Sequence, residues 1–115
     1  MIESDLANYL SESIDTNFTV GRRLPSAEED INIFSVNTSV NNYYNTGLSQ
    51  IQISVRSEEI DRVRELVDQV ISNIKGFYGL LGSTYVTLFI ENIGGEIFEE
   101  DGKTIHVPIL VNVKF

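Results

Sequence analysis

The spacing of the hydrophobic positions changes at one point near the middle of the chain. From Leu48 to Val55 apolar and polar residues alternate, which predicts a half-buried strand. From Ile60 onward the apolar residues recur at every third and fourth position, which predicts an amphipathic helix. Ser57 is expected to cap this helix, acidic residues fill its first turn, and Gly76 follows it as a left-handed C-cap. We therefore predict a strand that leads directly into the main helix.

Other patterns predict the remaining elements. One apolar stripe predicts a short helix within residues 2–14, and runs rich in β-branched and aromatic residues predict strands at residues 30–36 and 84–90. Glu100–Lys103 is typical of a hairpin turn, and after it apolar and polar residues alternate to Lys114. This order predicts an α+β fold, in which a mostly antiparallel sheet of four or more strands carries two helices packed on one face.

Two polar segments and the last strand complete this prediction. Asn37–Gly47 is rich in Asn, Ser and Thr and is interpreted as a long hairpin tip or a mobile loop. Residues 77–83 are interpreted as a connection punctuated by glycine. The last strand, which ends at Phe115, is expected to lie at an exposed edge of the sheet, where backbone groups are unpaired.

Composition narrows the range of functions. A chain of 115 residues is expected to form one domain, residues 1–115, with one core. Seventeen acidic against eight basic residues give a net charge of -9, which argues against binding to nucleic-acid phosphates or to anionic membranes. The sequence has no cysteine, and we find neither a signal peptide nor a bilayer-spanning stretch. The expected location is therefore the cytoplasm of the cell that makes the protein.

Few residues suggest chemistry. His106 is the only histidine, and its place on the polar side of a strand favours a structural or solvated role. Acidic clusters at residues 28–30, 58–61 and 99–101 lack the pattern of a calcium loop, and the glycines form no phosphate-binding motif. We therefore expect no catalytic residue, no metal site and no cofactor, and a protein that is not an enzyme.

Other residues suggest contacts with protein partners. Arg56, at the junction of strand and helix, is suited to a planar contact with a carboxylate, either within the chain or across a subunit boundary. Arg22 and Arg23 form either an isolated surface patch or a solvated pair near acidic residues. Tyr43 and Tyr44 either anchor an interface or pack back on their own sheet.

The order of these elements resembles the bacteriophage tail terminator and minor capsid (tail-completion) protein family. The resemblance is carried by the N-terminal helix, the hairpin that ends in Val55-Arg56, the acid-started helix Ser57–Lys75 and the strand Val107–Val113. It spans nearly the whole chain and is one of pattern and order.

This resemblance implies a hexameric ring on the end of the phage tail tube. Such a ring stops tube growth and docks to the head connector or stopper protein, and DNA passes through its lumen without specific binding. The protein would then be assembled in the host cytoplasm and reside in the tail or neck of the virion. The implied contact residues between subunits or rings are Arg56, Tyr43, Tyr44, Arg22 and Arg23.

Three alternatives stay open from the sequence. The first is an adaptor or stopper protein of the neck, which differs from a terminator in its position in the particle. The second is a small cytoplasmic enzyme or ligand-binding domain, which predicts a pocket containing His106 and acidic residues. The third is a monomeric regulator that binds its partner through the last strand.

Overall fold

The computed structural model describes residues 2–21, 28–41 and 46–115. It contains two helices and a seven-stranded sheet, so the predicted α+β class is confirmed. In chain order the elements are α1 (Ile2–Ser11), β1 (Phe18–Val20), β2 (Asp30–Asn41), β3 (Thr46–Ser57), α2 (Ile60–Ile74), β4 (Tyr78–Leu81), β5 (Thr84–Ile93), β6 (Ile97–Phe98) and β7 (Ile105–Lys114).

The strands lie in the order β1-β2-β3-β7-β5-β4, and the short strand β6 also pairs with β7. Among these strands β1 and β2 pair in parallel and the other pairs are antiparallel. The last strand, β7, lies between β3 and β5, so the expectation of an exposed edge is wrong. Alternation along a strand reports which of its faces is buried, but it carries no information about neighbours within the sheet.

One face of the sheet builds the core. Along β7 every second residue from Ile105 to Val113 is buried, and the residues between them are half-buried on the other face. The buried rows of β3 and β7 pack with Leu66 and other apolar residues of α2, and with Leu6 and Leu10 of α1. Both helices therefore share one core with the inner face of the sheet.

The sheet is curled around this core. Helix α1 contacts β1 and β2 at one end of the strand order and β4 at the other end. This arrangement is possible because a twisted sheet brings its two outer strands towards the same side. The opposite, outer face of β3, β7 and β5 is turned away from both helices.

The N-cap of helix α2 lies two residues later in the chain than predicted. Its N-cap is Glu59, which makes no side-chain capping bond, and the hydroxyl of Ser57 accepts the N–H of Glu59 at 3.2 Å. The prediction for Ser57 is wrong because Ser57 is the last residue of β3 and its side chain is buried with the inner face. The predicted C-cap is confirmed, since Gly76 follows the helix with a φ of 73°.

The described residues of Asn37–Gly47, which was interpreted as a long hairpin tip or a mobile loop, belong to the hairpin of β2 and β3. Residues 77–83, which were interpreted as a connection, contain a strand. Strand β2 continues to Asn41 and β3 begins at Thr46, so most of Asn37–Gly47 is a paired ribbon. Within residues 77–83 the structure forms β4, which pairs with β5.

In the described ranges neither helix has the length and apolar character that crossing a lipid bilayer would require.

Candidate functional site

Arg56 lies in a row of polar side chains on the outer face of the sheet. It is opposite Asp30 of β2 on one side and His106 of β7 on the other, and residues in register across strands are close neighbours on the same face. The Nε–H of Arg56 donates to Oε1 of Glu99 at 2.5 Å. This contact gives Arg56 a carboxylate partner within the chain, which was one of the two expected arrangements. Its role between subunits stays a prediction.

The Arg56 row lies beside a shallow surface groove. The groove is lined by Arg56, by His106, by Phe98 of β6 and by three acidic residues of the turn before β7, namely Glu99, Glu100 and Asp101. It brings together the lone histidine and acidic residues, as the alternative of an enzyme requires. None of these six lining residues carries a hydroxyl, thiol or amine nucleophile, so the groove offers only a carboxylate or imidazole for covalent chemistry.

The third acidic cluster supports its own turn. Oδ1 of Asp101 accepts the backbone N–H of Lys103 and of Thr104, both at 2.8 Å, and Oδ2 accepts the hydroxyl of Thr104 at 2.6 Å. The hydrogen bonds from Thr104 and from the Lys103 backbone lower the pKa of Asp101 to about 2. Within the described residues no group of three or more His, Cys, Asp and Glu side chains is arranged to hold a metal ion.

The first acidic cluster is tied to helix α2. Arg62 donates from Nε to Oε1 of Glu29 at 2.8 Å and from Nη2 to Oε2 at 3.1 Å, and Thr16 donates to Oε2 at 2.6 Å. Partial burial works to raise the pKa of Glu29, but the hydrogen bonds from Arg62 and Thr16 outweigh it and hold that pKa below its ordinary value. The same bond to Glu29 raises the pKa of Arg62. This two-pronged pair fixes α2 against the start of β2.

A second arginine of α2 holds the bend that follows β5. Arg64 donates to Oε1 of Glu96 at 2.8 Å, and this hydrogen bond lowers the pKa of Glu96. Within the bend, the backbone N–H of Gly94 donates to the carbonyl of Pro108 at 2.8 Å, which brings the chain close against β7. Both contacts have structural roles.

Large apolar side chains are exposed on the outer face of β4 and β5. Tyr78 and Leu80 of β4, and Tyr85 and Phe89 of β5, alternate with residues that face inward, and the register places Leu80 directly opposite Tyr85. Their exposed fractions are 77% for Tyr78, 54% for Leu80, 67% for Tyr85 and 46% for Phe89. We call these four residues the aromatic face. A contiguous apolar group of this kind is often a contact surface.

A cation lies at the border of the aromatic face. The ammonium group of Lys114, at the end of β7, is 5.2 Å from the centre of the Phe89 ring, within the range of a cation–π contact. Lys75, at the end of α2, lines a groove beside Tyr78 and Phe89. The face therefore combines aromatic rings with two lysines.

The aromatic face was not predicted from the sequence, which suggested other contact residues. Tyr43, Tyr44, Arg22 and Arg23 lie outside the described residues, so their proposed contacts stay predictions. The period-two spacing of Tyr85 and Phe89 within β5 was the available signal for the face. That signal was weak, because an apolar run that is exposed on one side has the same composition as one that is covered on both sides.

These features define an α+β protein whose outer sheet face offers contacts and whose polar clusters mostly stabilise turns and helix packing. No protein-family model matches the sequence, and no curated protein matches it. Among solved structures, the fold is similar to a chain of the virion of a native gene transfer agent particle. The TM-score is 0.63 at 12% sequence identity, over 95% of this chain and 82% of that chain.

A second solved structure, whose name states no function, has the same kind of likeness. Its TM-score is 0.58 at 12% identity, over 97% of this chain and 88% of that chain. At such low identity both matches establish a shared fold, and they cover nearly all of this chain.

Proposed function

We propose that the protein is a structural component of a phage-like virion. The observation that carries this proposal is the fold it shares with a chain of the gene transfer agent virion, over 95% of this chain and 82% of that one. A match of this extent concerns nearly the whole chain and not a single recurring motif. Since a fold alone does not define a function, the sequence pattern and the exposed surface must point the same way.

More specifically, we propose that the protein forms a ring at the end of the tail tube and terminates its growth. The resemblance of the sequence pattern to tail terminators supports this role. The aromatic face also supports it, because a ring needs contact surfaces between neighbouring copies. The net charge of -9 per chain suits a ring through which DNA passes, since acidic residues repel phosphates.

The mechanism in this proposal is steric. A ring that binds the last layer of tube subunits covers the surface to which the next subunit would add, and its free side becomes the docking surface for the head connector. No bond is made or broken in these steps. The nearest alternative is an adaptor or stopper protein of the neck, which would use similar contacts at a different position in the particle.

The experiment that tests the proposal is a tube-termination assay. Tube protein from the same particle is polymerised with and without this protein, and tube lengths are measured by negative-stain microscopy. We expect shorter tubes that carry a ring at one end. Tubes of unchanged length without an end ring would contradict the terminator role, and gold labelling of whole particles at the neck alone would favour the adaptor.

A second measurement separates assembly from catalysis. The variant His106→Ala removes the only imidazole from the groove beside Arg56. We expect it to terminate tubes as well as the original protein, because the proposed mechanism uses no proton transfer. Phe98→Ala, in the same groove, serves as a control for local disturbance of the surface. A loss of function with His106→Ala alone would favour a chemical role for the groove.

A further inference from the structure

The aromatic face is exposed and is not covered by any other described part of the fold. Both helices lie on the opposite side of the sheet, and none of the described loops covers Tyr78 or Tyr85. An aromatic side chain has an area of roughly 150–250 Å². With the exposed fractions given above, the face presents on the order of 400 Å² of apolar surface, which is the size of the largest, often functional, patch on a monomer.

The charges around the face indicate what it binds. Neither Lys75 nor Lys114 forms a salt bridge with an acidic residue in the described parts of the chain. Glu91, two residues after Phe89 on β5, accepts a hydrogen bond from Gln50 at 3.1 Å. No acidic residue lies on β4, and Glu91 is the one acidic residue on β5, while the other sixteen lie on other segments of the chain. The lysine-bordered face therefore carries less negative charge than the rest of a chain whose net charge is -9.

From these observations we infer that the aromatic face binds the acidic surface of a second copy of this chain, in a head-to-tail contact. Two identical faces pressed together would gather the lysines of both copies around one interface. A face set against the acidic surface of its neighbour instead gives each lysine carboxylates and buries the rings. Because a head-to-tail contact uses two different surfaces, repeating it closes a ring or extends a filament.

This inference rests on the proposed ring and names the surface that would build it. The area is about half of the roughly 800 Å² that each partner buries in a standard interface, so the face is expected to form the apolar centre and the lysines its rim. Residues at such a centre dominate affinity, and tyrosine is enriched among them.

The test is the oligomeric state of matched variants, measured by sedimentation velocity over a concentration series. The double variant Leu80→Thr/Tyr85→Thr removes two opposite side chains of the face and keeps residues that favour strands. Its control is Ile97→Thr/Phe98→Thr, which removes side chains that are 51% and 67% exposed on β6, away from the face. Circular dichroism confirms that each variant is folded.

We expect the original protein and the control to associate, and the face variant to associate about a hundredfold more weakly, as when aromatic anchors are removed. Unchanged association of the face variant would overturn the inference, and so would loss of association in the control alone. A protein that stays monomeric at every concentration would also overturn the inference. The proposed role at the tube end is tested separately by the tube-termination assay, because the tube can act as a template for the ring.

The charge part of the inference has a separate pair of variants. Lys114→Glu and Lys103→Glu change the net charge equally, but Lys103 lies in the turn before β7, away from the aromatic face. We expect Lys114→Glu to weaken association at least tenfold more than Lys103→Glu. Equal effects would refute the head-to-tail arrangement. A photo-crosslinking residue at position 85 should link to acidic segments of the neighbour, and links between two copies of position 85 would contradict the inference.

Discussion

Two adjacent glycines in the bend after β5 allow a matched test of the packing against β7. A Cβ atom added at Gly94 would lie 2.6 Å from Cγ, 2.9 Å from Cδ and 3.2 Å from the carbonyl oxygen of Pro108. A Cβ atom added at Gly95 would meet no atom of the described residues within 4 Å. Neither glycine has a positive φ, so Gly94→Ala and Gly95→Ala differ mainly in this contact.

The expected difference in stability between the two variants follows from the surroundings of the two added methyl groups. Both substitutions reduce the freedom of the unfolded chain, which is worth about 0.4–1 kcal/mol of stability when the native conformation accepts alanine. At Gly94 the new methyl lies about 1 Å closer to Pro108 than the usual carbon separation of roughly 3.5–4 Å, and overpacking of this kind costs about 1–3 kcal/mol. The unfolded-state gain cancels in the comparison. We therefore expect Gly94→Ala to be about 1–3 kcal/mol less stable than Gly95→Ala.

The assay is urea unfolding followed by circular dichroism, with the two variants and the original protein under the same conditions. Pro108→Ala removes the ring atoms nearest to the new methyl, so the cost of Gly94→Ala should fall by at least about half in that background. Equal stability of Gly94→Ala and Gly95→Ala would refute the reasoning. An undiminished cost in the Pro108→Ala background would assign the effect to the carbonyl of Pro108 instead of its ring.

Three further predictions concern the core, the turn before β7 and the end of α2. Leu66 is fully buried, so Leu66→Ala should lower the free energy of unfolding by about 2–5 kcal/mol, while the exposed Asp68→Ala should change it by less than about 0.5 kcal/mol in the same urea experiment. The pKa of Asp101 is lowered from 3.8 to about 2, so its carboxylate stabilises the fold above pH 3.8, and this contribution is lost as the pH falls towards 2. Between pH 3.8 and pH 2, unfolding curves should therefore show a smaller loss in the free energy of unfolding for Asp101→Ala than for the original protein. Gly76 has a φ of 73° and open space around it, so Gly76→Ala should destabilise by about 1 kcal/mol through backbone strain alone, and a thermal midpoint as high as that of Gly95→Ala would contradict this.

The sequence predicted most of the fold wherever burial imposed a period. The alternation in β3 and β7 and the helical spacing in α2 follow directly from one face meeting the core. A hairpin was one of the two interpretations of Asn37–Gly47, but the length of its strands was not predicted, because the described side chains there, such as Thr38, are largely exposed and leave no apolar alternation. Its backbone pairing is independent of side-chain polarity, which explains why a polar sequence continues as strand.

The candidate surfaces were less predictable than the fold. Arg56 was identified from its place at the strand end, but its neighbours Asp30 and His106 are brought beside it by pairing between strands far apart in sequence. The aromatic face likewise depends on β4 pairing with β5 and on the helices covering the other side. Neither relation can be obtained from local periodicity, because periodicity describes one element at a time.

The central position of β7 has a consequence for how the protein folds during synthesis. Strands β1, β2 and β3 form one paired group and β4 and β5 another, and β7 is the strand that hydrogen-bonds to both. Until the ribosome has released β7, the nascent chain holds two β units whose facing edges are unpaired. Such edges can join those of other chains, so we expect aggregation to be favoured in the interval before β7 pairs with both units.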